Sequence, residues 1–179
     1  MKTQQNVRKN SLAKAKKGAI SVAFAILLPI LLNVCTYFCG RMEARFIAAE
    51  VQNLMDISTK AGASTGIIIT RTVNGKEYSN CVIPVYGDER KRESGPIVTT
   101  DLLLLNIKEN TFLGGEKGAL YTAINEEIKN KRVGKLTSDP LLALGIVNLR
   151  LSFTYTTRSS FYPIKYRFNL ESTSKCTVE

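Results

Sequence analysis

The sequence predicts an α+β fold: a long N-terminal transmembrane α-helix that extends into a small extracytoplasmic head with an antiparallel β-sheet and one further helix. Three observations carry this expectation. Ala19 to Cys39 is a run of 21 residues without a formal charge. Helical spacing continues beyond it to Ala63, and after Ser64 the chain changes to short β-type runs separated by turn residues.

As an α-helix, the uncharged run spans roughly 30 Å, the thickness of a bilayer's hydrocarbon core. Ahead of it stand Lys2, Arg8, Lys9, Lys14, Lys16 and Lys17, with no acid among them. Basic flanks stay on the cytoplasmic side. Residues 1–18 therefore read as a basic cytoplasmic leader, 19–40 as the transmembrane helix, 41–64 as its extracytoplasmic extension and 65–179 as the head. The leader holds six of the net ten positive charges and leaves +4 for the remainder. Nucleic-acid binding needs a basic face on the folded domain, so this distribution argues against a nucleic-acid partner. A cleaved secretory signal peptide fits poorly: the apolar run is too long, no small-x-small site follows it, and the helical pattern runs on. Nor is there a lipoprotein signal, because Val34 precedes Cys35 where a small residue is expected.

The extension, "RMEARFIAAEVQNLMDISTKAGA", has no proline and no glycine before Gly62. Ile47, Val51, Leu54, Ser58 and Ala61 recur at spacings of four and three, which is an amphipathic helix, and Gly62 with Gly66 supplies its stop. Joined to the apolar run it makes one helix of roughly 45 residues and about 70 Å. The apolar face, Ile47, Val51 and Leu54, needs a partner. That partner is either a neighbouring subunit, which makes it an assembly face, or the chain's own head; periodicity does not separate the two.

In the head, "GIIITRTV" and "EYSNCVIPVY" flank Asn74-Gly75, the signature of a β-hairpin pairing Ile67–Val73 with Tyr78–Tyr86. Gly87 to Pro96 is a polar run that reads as a solvated loop. "IVTTDLLLLNI" reads as a buried strand. Glu116 to Arg132 shows helical spacing through Leu120, Ile124 and Ile128, with Glu126 and Glu127 ahead of Lys129, Lys131 and Arg132, the order that complements a helix dipole. "GIVNLRLSFTYTT" and "YPIKYRFNLESTSKC" alternate apolar and polar residues and predict two long antiparallel strands joined near Ser159-Ser160.

The four cysteines divide by place. Cys35 and Cys39 sit one turn apart in the apolar run and read as small membrane-buried side chains. Cys81 and Cys176 both fall in the extracytoplasmic part, in an early strand and at the end of the last one, and are expected to pair, with two free thiols as the alternative in a reducing compartment. In the chain-entropy model such a bridge stabilises by roughly 4 to 5 kcal/mol.

"GAISVAFAILLPILL" followed by "CGRMEARFIAAEVQNLMDISTKAGAS" resembles the N-terminal signature of the TadE/TadG-like proteins of tight-adherence (Flp) pilus systems, within the wider group of type IV pilin-like proteins. The resemblance lies in a basic leader ending at Gly18, a Leu28-Pro29 step in the apolar helix, and Gln52-Asn53 with Asp56 and Ala61-Gly62-Ala63 closing it. It covers Gly18 to Ala63. It implies a minor pilin-like subunit or pilus-assembly component in a bacterial cytoplasmic membrane, with a possible prepilin-peptidase cut between Gly18 and Ala19. The implied partners are other pilin-like subunits and assembly-platform proteins. One position departs: Ala23 stands where the family usually carries a glutamate at the fifth residue after the leader glycine. In pilin-like proteins that glutamate offsets the buried amine of a processed neighbour, since a lone charge in hydrocarbon is costly.

Catalysis finds no support in the residue inventory. With no histidine in the chain, Ser-His-Asp, Cys-His and His-ligated metal designs are all excluded. "FLGGEKGA" lacks the Gly-Lys-Ser/Thr ending of a phosphate loop and reads as a turn before a helix. No enzyme activity, cofactor, metal or small-molecule substrate is expected. The alternative function is a single-pass protein whose extracytoplasmic domain binds a ligand or a cell-envelope partner.

Overall fold

The computed structural model of the chain describes residues 2–85, 94–132, 139–158 and 163–177, with side chains from Val22 onward and not at 131 and 132. One unbroken helix, α1 (Lys2–Ser64), precedes a hairpin of β1 (Ile67–Val73) and β2 (Lys76–Val82). Then come α2 (Gly95–Glu109), a 3-10 turn (Thr111–Leu113), α3 (Ala119–Arg132) and a second 3-10 turn (Pro140–Leu144). A long pair of strands, β3 (Ile146–Thr156) and β4 (Lys165–Lys175), closes the fold. The α+β class holds, with two differences from expectation. The strands form two separate two-stranded antiparallel sheets, β1-β2 and β3-β4. Two α-helices, not one, follow α1 among the described residues.

The second difference comes from "IVTTDLLLLNI", which is the body of α2. Proline sits in the first turn, where its missing N–H costs nothing. Leu103 and Ile107 then turn inward while Leu105 stays exposed, which is helical alternation. A short apolar run does not separate strand from helix, and leucine favours the helix. The hairpin begins as expected at Ile67, and Asn74 and Gly75 take positive φ of 51° and 76°, the type I′ geometry. Strand β2 ends at Val82 instead of Tyr86, because Ile83 N–H bonds Leu142 O at 2.9 Å and Pro84 has no N–H to give. The join near Ser159-Ser160 and most of the Gly87–Pro96 run lie outside the described residues.

The β3-β4 sheet has one wet face and one packed face. Its register pairs Leu151 with Leu170 and Phe153 with Phe168 on the inside. Outside, Arg150 meets Glu171 at 2.9 Å and Ser152 bonds Asn169 at 2.8 Å. Leu149, Leu151, Phe153 and Tyr155 of β3 are buried, and the core they enter is completed by Ile47, Val51 and Met55 of α1, Leu103 and Ile107 of α2, and Ile124 and Ile128 of α3. The last 20 or so residues of α1 are thus a core element of the head. A smaller cluster of Ala63, Ile83, Leu142 and Val147 joins the hairpin root to the sheet.

Candidate functional site: the exposed apolar helix and its junction with the head

The two parts of α1 have opposite environments. From residue 22 to 39 every side chain except Thr36 is exposed. This stretch reaches a mean hydropathy of 2.2 with none of it buried, long and apolar enough to span a membrane. Two polar side chains within it bond back to the helix itself. Asn33 Nδ2 donates to Pro29 O at 2.9 Å, and Thr36 Oγ1 donates to Leu32 O at 2.8 Å. Such back-bonding is what an apolar medium demands of polar side chains. Pro29 removes one backbone donor, and α1 continues through it.

Beyond Gly40 the helix is gripped by the head. Ile47 and Val51 are buried and Leu54 is half-buried, all against the chain's own α2, β3 and β4. Of the residues named as an assembly face, Ile47 and Val51 are thus taken up by the head's own core, while Leu54 keeps part of its surface open. Of the motif residues, Gln52 and Asp56 dock the helix on the final strand. Gln52 Nε2 donates to Asp56 Oδ1 and to Glu171 O, both at 3.0 Å, and Ser172 Oγ donates to Asp56 Oδ1 at 2.6 Å. Thr59 Oγ1 extends the zipper to Ser172 at 2.8 Å and Ser174 at 3.0 Å. Asn53 is exposed. Gly62 is where α1 crosses α2: a Cβ there would stand 2.8 Å from Gly95 O and collide with Thr99 Oγ1.

Sequence reading passed over three features of the junction. Glu43, one turn past the apolar stretch, accepts hydrogen bonds from the Tyr155 hydroxyl and, at 3.1 Å, from Arg158 N–H. Burial, reinforced by the bond to Glu43, pushes the Tyr155 phenol up to about 12. Asn110 ties the first 3-10 turn to α1, its Nδ2 donating to Glu50 Oε1 at 3.0 Å. Phe112 on that turn meets Phe46 of α1 edge-on, ring centroids 4.9 Å apart. None of the three left a local signal in the sequence; the Ser172-Ser174 pair did, as the point where the inward row of β4 changes from Tyr166, Phe168 and Leu170 to hydroxyls.

Cys81 and Cys176 stand at disulfide distance, Cα to Cα 6.1 Å, and bridge β2 to the end of β4. Cys35 and Cys39 are free and exposed on the apolar stretch. Gly18 and Ala19 lie within α1, in the part whose side chains are not described. Among the described residues no group of three or more His, Cys, Asp or Glu is placed to hold a metal ion. No family model, curated protein or solved structure matches the chain.

Proposed function

We propose that the protein is a minor pilin-like subunit or pilus-assembly component. One helix anchors it in a bacterial cytoplasmic membrane, with the N-terminus cytoplasmic and the head outside, and it acts by packing rather than by catalysis. The observation that supports this most is the division of α1: an apolar part that none of the described residues buries, continuous with a part that forms the core of the head. Exposed apolar surface of that extent requires lipid or other helices. Since Ile47 and Val51 are occupied, packing with other pilin-like subunits and platform proteins falls to the exposed stretch 22–39. Ala23 leaves a cut between Gly18 and Ala19 without the usual glutamate to receive the new amine. The native Cys35 and Cys39 make the reading testable without mutation. Oxidative cross-linking in intact cells, followed by mass spectrometry, should capture pilin-like or platform proteins at these thiols. Cross-links confined to unrelated membrane proteins, or α1 extracted from membranes by carbonate, would sink it. The N-terminal peptide from the same sample reports whether the mature chain begins at Ala19.

A second reading, an extracytoplasmic domain that binds a ligand or envelope partner, is favoured by the hairpin. Both faces of β1-β2 are largely exposed, with Ile68, Val73 and Tyr78 each about half accessible. A hairpin without a third strand is marginal in water. On this reading the partner is lost when Tyr78 and Val73 are made polar, while the cross-links at Cys35 and Cys39 vanish from wild type.

A further inference from the structure

We infer that the end of the head nearest the apolar helix is a lipid-docking surface, seated on the headgroups of an anionic phospholipid leaflet. This rests on the reading of 19–40 as a membrane span. The apolar surface of α1 does not stop at the span. Phe38, Met42 and Phe46 follow one another at four-residue intervals, and all three are exposed, Met42 at 71% and Phe46 at 58%. Phe112, 56% exposed at the tip of a 3-10 turn, joins the same stripe through its edge contact with Phe46. An exposed phenylalanine at a turn tip buries little within its own chain; here it widens an apolar band that continues directly from the span.

The dimensions agree with a headgroup layer. Met42 and Phe46 lie about 5 and 10 Å further along the helix axis than Cys39, and the polar layer of one leaflet is roughly 5 to 8 Å deep. Side chains on a helix lean toward its N-terminus, which here is the membrane side, so the Phe46 ring sits lower than its Cα. Charge points the same way. Arg41 and Arg45 are exposed on the first turns past the span. Arg158, also exposed, reaches across to Gly114 beside Phe112, since a Cβ on Gly114 would stand 2.8 Å from its guanidinium. Of the acids at this end, Glu43 is bonded to Tyr155 and to Arg158 N–H, Glu50 to Asn110 and Glu116 to Lys108, while Glu109 is exposed. Aromatic or apolar side chains between arginines are the composition of an interfacial surface that favours anionic lipid.

The chain has no tryptophan, so single replacements give clean probes. Full-length Phe112→Trp, Met42→Trp, Leu31→Trp and Tyr78→Trp proteins are reconstituted in phosphatidylcholine vesicles with and without phosphatidylglycerol, and quenched by spin labels placed at the headgroup or midway along the acyl chain. Phe112→Trp and Met42→Trp should be blue-shifted and quenched by headgroup labels, more so with phosphatidylglycerol and less at high salt. Tyr78→Trp should be unquenched, and Leu31→Trp quenched by the acyl label. If Leu31→Trp is quenched but Phe112→Trp and Met42→Trp stay water-exposed, the docking surface is wrong and the span stands. If their emission follows protein-to-lipid ratio rather than lipid label, a second copy covers the patch and the inference is overturned. If Leu31→Trp is also unquenched, the span falls and the inference with it.

Discussion

Tyr155 fastens the first turn of α1 beyond the apolar stretch to the head, because its hydroxyl reaches from β3 to Glu43 at the base of the head. Only 6% of it is exposed, and burial with the Glu43 bond holds the phenol at about 12, above its ordinary 10. The folded chain therefore keeps a proton that the unfolded chain gives up between those values, and stability must fall as pH rises through that window. Below pH 10 the contribution is complete. Unfolding of the full chain in detergent, followed from pH 9 to 12, should show a loss above pH 10 that is absent in Tyr155→Phe. Equal pH profiles for the two proteins would mean that Tyr155 titrates like an exposed phenol. Neither residue of this pair was legible in the sequence: Glu43 is one of several charges on an amphipathic helix, and Tyr155 one aromatic in an alternating strand, 112 residues away. Gln52 and Asp56 were found as members of a pattern, but their work of fastening α1 to Ser172 and Glu171 becomes visible only when β4 lies against them.

At the scale of elements, the crossing of α1 and α2 is set by Gly62 and Gly95, whose backbones approach so closely that a methyl on Gly62 has no room. Gly62→Ala should destabilise the head by about 1 to 3 kcal/mol, the usual cost of overpacking. Thr99→Ala in the same chain should return part of that loss by removing the hydroxyl in the way, with the Gly95 carbonyl still 2.8 Å off. Denaturant midpoints of the single and double variants measure both effects, and a neutral Gly62→Ala would show that the helices slide apart freely. The same glycine was read from the sequence, together with Gly66, as the helix stop; α1 ends between the two at Ser64, and Gly62 serves the crossing as well. The hairpin and the β3-β4 pair were legible because Asn-Gly and strict alternation are local signals. Helix α2 was not, because Leu102 to Leu105 is apolar on every side and shows no period until the core selects Leu103 and leaves Leu105 in solvent.

Taken whole, the molecule is one helix shared between two environments, and its lower domain boundary follows from that. A head drawn at residues 65–179 lacks the segment on which its core is built. Ile47, Val51 and Met55 are 3%, 0% and 0% exposed, and burial of each contributes roughly 1.5 to 3 kcal/mol. Their sum is comparable to the lower part of the 5 to 15 kcal/mol that about one domain's stability comprises. The sequence marked Ile47 and Val51, with Leu54 and not Met55, as a regularly spaced apolar stripe but left its partner open, since a stripe that fits a neighbour fits the chain's own sheet equally well. A fragment covering 41–179 should therefore fold as a soluble protein with a cooperative transition. A fragment covering 65–179 should aggregate, even with Cys81 and Cys176 oxidised. The bridge closes a loop with a sequence separation of 95 residues, and it narrows the unfolded ensemble by roughly 4 to 5 kcal/mol without supplying the missing apolar surface. Circular dichroism and thermal melts of the two fragments decide the matter. A folded 65–179 would show that α1 is an ornament on the head and would leave Ile47, Val51 and Leu54 open to a neighbouring subunit, the other partner their spacing allowed.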